Sequence, residues 1–113
     1  MNNQVKELGK ELVINKVKGN YIQKIDNNLA INIYEKYLGE EIKSFLPEIT
    51  KVFPLMIKEG NQYKEKSILN IKNGAFKLPI EVNKGTKVKL GFRYDENSKI
   101  VKGISNLANT LTK

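Results

Sequence analysis

Cysteine, histidine and tryptophan are absent from this 113-residue chain, and only one of its 20 basic residues, Arg93, is an arginine. Without cysteine there is no disulfide framework. Without cysteine and histidine there is no zinc site of the usual ligands, no Cys–His or Ser–His nucleophile and no histidine pH switch. The first residues, Met1 to Lys6, lack the apolar core of a signal peptide, and no segment approaches 18 apolar residues. A cytoplasmic protein that makes no membrane contact is expected. At 40% apolar and 28% charged, the composition is that of one folded domain, residues 1–113, rather than of a disordered chain.

What the chain does have is positive charge, +8 overall. Its composition offers a rival explanation for that excess. Lysine, asparagine and isoleucine (19, 14 and 13 residues) all have A/T-rich codons, so an A/T-rich genome would enrich lysine whatever the protein does. The near-absence of arginine disfavours base-edge reading in the major groove, which uses a planar fork, but leaves lysine as a point charge for phosphate. The charge is also unevenly spread. Residues 1–57 carry 8 Lys against 7 acids, net +1; residues 58–113 carry 11 Lys and Arg93 against 5 acids, net +7. Codon bias acts on both halves alike and does not account for that asymmetry.

The spacing predicts an α+β fold: an N-terminal helical and hairpin region, one main amphipathic helix, and an antiparallel meander packed on it. Val5, Leu8 and Leu12 fit a short helix over Asn2–Lys10, which Gly9 weakens. Leu12–Val17 and Tyr21–Ile25 read as a hairpin around Lys18-Gly19-Asn20, with a helix continuing through residue 17 as the competing reading. The main helix, about residues 30–45, shows a stripe of Ala30, Ile33, Tyr34, Tyr37, Leu38, Ile42 and Phe45. Pro54 limits the next helical turn to about Val52, and an extended segment follows. The meander spans about residues 65–104. Asn73-Gly74 suits a two-residue type I′ turn, and Asn83-Lys84-Gly85 suits a three-residue loop. Pairing across both turns puts Leu69, Ile71, Phe76, Leu78, Ile80, Val88, Leu90, Phe92 and Tyr94 on one buried face. Pro79 conflicts with that register, because it has no N–H to donate to Ile68. A turn at Asp95–Ser98, a strand over Lys99–Ile104 and a helical tail over Ser105–Leu111 complete the reading.

Alternation then assigns the opposite face to Lys66, Lys72, Lys77, Lys87, Lys89 and Arg93, with Glu81 as its acid. These six cations are the candidate nucleic-acid-binding residues: they would meet phosphates whatever the sequence. A solvated outer face whose lysines block edge-to-edge pairing is the competing explanation. The aromatic residues of the meander point inward, Tyr63 excepted, which weakens base stacking and leaves backbone electrostatics.

No constellation supports catalysis, and no metal site or cofactor is expected. Glu40 and Glu41 are helical neighbours whose side chains diverge by about 100°. Asp95-Glu96-Asn97 lacks calcium-loop spacing, and Gly85-Thr86-Lys87 lacks the glycine and the Ser/Thr of a phosphate loop. The leading expectation is a non-enzymatic nucleic-acid accessory protein, of a size and composition that suit a phage, plasmid or other A/T-rich element. The alternative is a protein-interaction module, an inhibitor or an assembly subunit capable of self-association, that uses Tyr34, Tyr37 and Phe45.

Overall fold

The computed structural model describes residues 4–94. Eight strands occur in chain order: β1 (Gln4–Lys18), β2 (Tyr21–Ile25), β3 (Asn28–Leu29), β4 (Leu55–Glu59), β5 (Gln62–Lys66), β6 (Asn70–Lys72), β7 (Ala75–Lys77) and β8 (Lys87–Tyr94). One short helix, α1 (Asn32–Leu38), lies mid-chain, followed by 3-10 turns at Glu40–Phe45 and Glu48–Lys51. The strands form one antiparallel sheet in the order β5-β4-β8-β1-β2-β7-β6, with β3 on β2, curled into a half-barrel. The α+β class expected from the sequence is therefore present.

The N-terminal helix is not. Residues 4–18 form a single 15-residue strand in which Leu8 and Leu12 face the core, while Val5, in unbroken register with Leu8, lies on the opposite face. Leu8 lies opposite Leu90 and Leu12 opposite Val88, so β1 advances four residues while β8 advances two. Residues i and i+4 share a face in a strand as they do in a helix, so Leu8 and Leu12 suit both readings, and the two extra residues form a bulge. Gly9 lies in the bulge at φ 68°, and a Cβ there would sit 2.6 Å from Tyr37 Cε1. Positive φ and the lack of room both demand glycine.

The hairpin between β1 and β2 forms as expected, with Lys18 opposite Tyr21 across Gly19-Asn20. The main helix is shorter than its apolar stripe. It ends at Gly39 (φ 94°, ψ 160°), and the chain re-enters a tighter 3-10 turn that still buries Ile42. Pro54 acts as anticipated: the 3-10 turn ends at Lys51 and the extended strand begins at Leu55.

The meander is only partly right. Asn73 and Gly74 adopt φ 52° and 80°, and β6 pairs with β7 with Ile71 opposite Phe76. The second hairpin does not form. β7 pairs with β2, and β8 lies between β1 and β4. The expected pairs Phe76–Phe92, Leu78–Leu90 and Ile80–Val88 are therefore absent, although Phe76, Leu78, Val88 and Leu90 are all fully buried. Pro79 explains part of this. It follows directly on Leu78, whose N–H donates to the Asn20 carbonyl at 2.9 Å, and the chain leaves the sheet there. Two core assignments fall with the meander: Ile80 is 42% exposed and Leu69 55%. The expectations for residues 95–113 and for the Tyr94 side chain lie outside the described residues.

The helix and the inner faces of the strands share one core. Tyr34 is fully buried, meets Phe76 edge-on at 5.7 Å, and donates its hydroxyl hydrogen to the Phe53 carbonyl at 2.6 Å. Phe53 stacks on Phe92 at 5.1 Å. Leu90, with no exposed surface, lies opposite both Leu55 and Leu8. Leu90→Ala should cost about 2–5 kcal/mol, measured from the denaturant midpoint. Gly9→Ala should cost about 1–3 kcal/mol by crowding Tyr37, with Tyr37→Ala in the same chain recovering the steric part.

Candidate nucleic-acid interface

The sheet presents two outer surfaces, and alternation from the observed register assigns residues to each. On the β5-β4-β8-β1 half, the outward positions hold Tyr63 and Glu65, Lys58, Lys87, Lys89 and Arg93, and Glu7. Cations and anions interleave here. Lys89 meets Glu7 at 2.8 Å, Lys58 meets Glu11 at 3.8 Å, and Arg93 pairs with Glu65. Lys89 also lies 4.9 Å from the Tyr63 ring centre, and the Tyr63 hydroxyl donates to Glu11.

These contacts appear in the ionisation of the groups. The Glu11 carboxyl is held below its ordinary 4.5 chiefly by the Tyr63 hydrogen bond, helped by Lys58, Lys87 and Lys89 against a desolvation penalty. Tyr63 is pushed up to about 12 by desolvation and by its bond to Glu11. Lys66 lies on the opposite face, at 2.7 Å from Glu59, whose carboxyl is lowered by that bond.

The β1-β2-β7-β6 half is different. Its outward positions are Lys16 and Lys18 on β1, Tyr21 and Lys24 on β2, Ala75 and Lys77 on β7, and Lys72 on β6. A groove of about 520 Å³ opens here, lined by Lys16, Lys18, Tyr21, Gln23, Lys24, Leu29, Lys72 and Asn73. No acidic residue lines it. Lys16, Lys18, Lys24, Lys72 and Lys77 make no ion pair with another described residue, whereas two other grooves, one beside α1 and one beside Arg93, mix signs. Like charges held together without counter-charge repel, and an anion in the groove relieves that repulsion.

The six cations expected on one face are thus divided. Lys87, Lys89 and Arg93 share the mixed-charge surface, Lys66 faces the other way, and only Lys72 and Lys77 belong to the unpaired cluster. Lys16, Lys18 and Lys24 were missed because they belong to the nearly neutral half of the sequence. The i, i+2 spacing of Lys16 and Lys18, in a segment with two readings, is the available signal; Lys24 lies on β2. Among the alternative interface residues, Tyr34 is core, Tyr37 is half-buried against Gly9, and Phe45 is 47% exposed.

Among the described residues no group of three or more carboxylates, histidines or cysteines is placed to hold a metal ion, and no helix is long and apolar enough to cross a membrane. No protein-family model, curated protein or solved structure matches the chain, so function is argued from the surface itself.

The mixed-charge surface makes a pH prediction. Glu11 has a folded value below 4.5, so its contribution is complete above about 4.5 and is lost as pH falls through that folded value. In Tyr63→Phe the largest cause of the lowering is gone. Carbon-detected NMR titration should find the Glu11 carboxyl titrating at higher pH than in wild type, with Glu59 unchanged.

Proposed function

We propose that this protein is a non-enzymatic nucleic-acid-associated protein that holds a phosphate backbone, without reading sequence, along the outer face of the β1-β2-β7-β6 half-sheet. One observation carries the reading: Lys16, Lys18, Lys24 and Lys72 line a groove without acids, with Lys77 in register beside Tyr21 on the same face, while Lys58, Lys89 and Arg93 of the other half-sheet are matched to Glu11, Glu7 and Glu65. Codon bias supplies lysines but does not sort them into paired and unpaired surfaces. The groove contains no arginine, and lysines that reach phosphates position a ligand without specifying bases. Lys89 and Arg93 contribute less than the sequence suggests, because binding would first have to displace Glu7 and Glu65, and Lys87 lies in the field of Glu11.

The test is fluorescence anisotropy with labelled oligonucleotides of random sequence across a salt series. About four phosphate contacts give a log–log slope near −3 to −4, set by strandedness. Replacing Lys18 and Lys72 with Ala should flatten that slope by about one to two units. The Lys87→Ala, Lys89→Ala pair should move it by less than about half a unit. Equal effects of the two pairs, or no binding at about 50 mM salt, would overturn the proposal.

A further inference from the structure

Resting on that reading, we infer that the groove takes single-stranded nucleic acid in preference to duplex, with Tyr21 as the platform on which a base stacks. Tyr21 stands at the start of β2, the inner strand of the basic half-sheet. In register it lies between Lys18 on β1 and Lys77 on β7. Adjacent strands are about 4.8 Å apart, so an aromatic ring on the middle strand has a lysine stem on each side. A base on that ring would have its flanking phosphates within reach of both ammonium groups.

Tyr21 is also unengaged, unlike Tyr34 and Tyr63. Tyr34 spends its hydroxyl on Phe53 and its ring on Phe76, and Tyr63 is held by Glu11 and Lys89. The Tyr21 side chain has no hydrogen bond, ring contact or cation contact to another described residue, yet it lines the groove while half-exposed. Gln23, from the same strand, adds an amide that can meet a base edge. Stacking of this kind tolerates any sequence, because every base has a π-face. A duplex keeps its bases stacked inside and offers this surface phosphates alone, so the ring adds affinity only for a single strand.

The test compares one labelled strand of about 15 nucleotides with the same strand annealed to its complement, against the full chain. Wild type should prefer the single strand. Tyr21→Leu keeps apolar cover over the sheet but removes the ring, and should weaken single-strand binding by about five- to a hundredfold while changing duplex binding by less than about twofold. Tyr21→Phe keeps the ring and should stay within about twofold of wild type on both forms. Thermal unfolding of both variants verifies that each is folded. Salt-dependent binding with the Lys18 and Lys72 effect intact, but no selective loss in Tyr21→Leu, would overturn the stacking inference and leave the phosphate reading standing. A wild type that binds neither form would end both.

Discussion

A strand that must pair with β8 along its first half and with β2 along its second cannot remain straight, and the bending of β1 governs the rest of the molecule. Its inward residues are Leu8, Leu12, Ile14 and Val17, a spacing that two-residue alternation alone does not give. Bulges near Gly9 and Asn15 absorb the extra residues, and each keeps an apolar side chain on the core side while the strand turns. Asn15 fixes the second of these by accepting a hydrogen bond from the Asn27 N–H at 2.9 Å. The curl then makes a concave side that one short helix can fill. Seven residues of α1 suffice because Tyr34 reaches both Phe76 from one half of the sheet and Phe53 beside the other.

The same bend sorts the charge. The first part of β1 carries Glu7 and Glu11 next to the lysines of β8 and β4, and the two signs cancel locally. The last part carries Lys16 and Lys18 next to β2 and, through it, β7, where no acid faces them. A count by halves of the chain finds the N-terminal half nearly neutral, yet that half supplies two acids of one surface, Glu7 and Glu11, and three lysines of the other. The C-terminal excess is likewise spread: Lys89 and Arg93 are matched, Lys72 and Lys77 are not. Linear charge asymmetry was real, but topology redistributed it.

What could be seen in the sequence follows the range of the interactions involved. Local features were legible: the Gly19-Asn20 and Asn73-Gly74 turns, the helical stripe around Ile33, Tyr34 and Leu38, and the extended chain after Pro54 all depend on neighbours a few residues away. The meander failed for a long-range reason. Two turns that agree on an inward face do not require pairing between β7 and β8, because inward residues need only a common core. Phe76 and Leu90 are both fully buried, on strands separated in the sheet by β1 and β2. The candidate site inherited that error, since alternation was applied across a hairpin that does not exist.

Stability alone does not favour the unpaired cluster. Separating Lys16, Lys18, Lys24, Lys72 and Lys77, or giving them the carboxylates that Lys58 and Lys89 enjoy, would lower the repulsion among them. At physiological ionic strength, charges within about 8 Å still feel one another, so close lysines on adjacent strands are not fully screened. Edge protection accounts for Lys72 on β6 and for Lys16 and Lys18, which lie past the end of the β8 pairing, but not for Lys24, which pairs with β1 on one side and β3 on the other. A basic surface that gathers lysines from β1, β2 and β6 around an unengaged Tyr21 fits a ligand that is both anionic and aromatic. Nucleic acid combines those two properties in every residue.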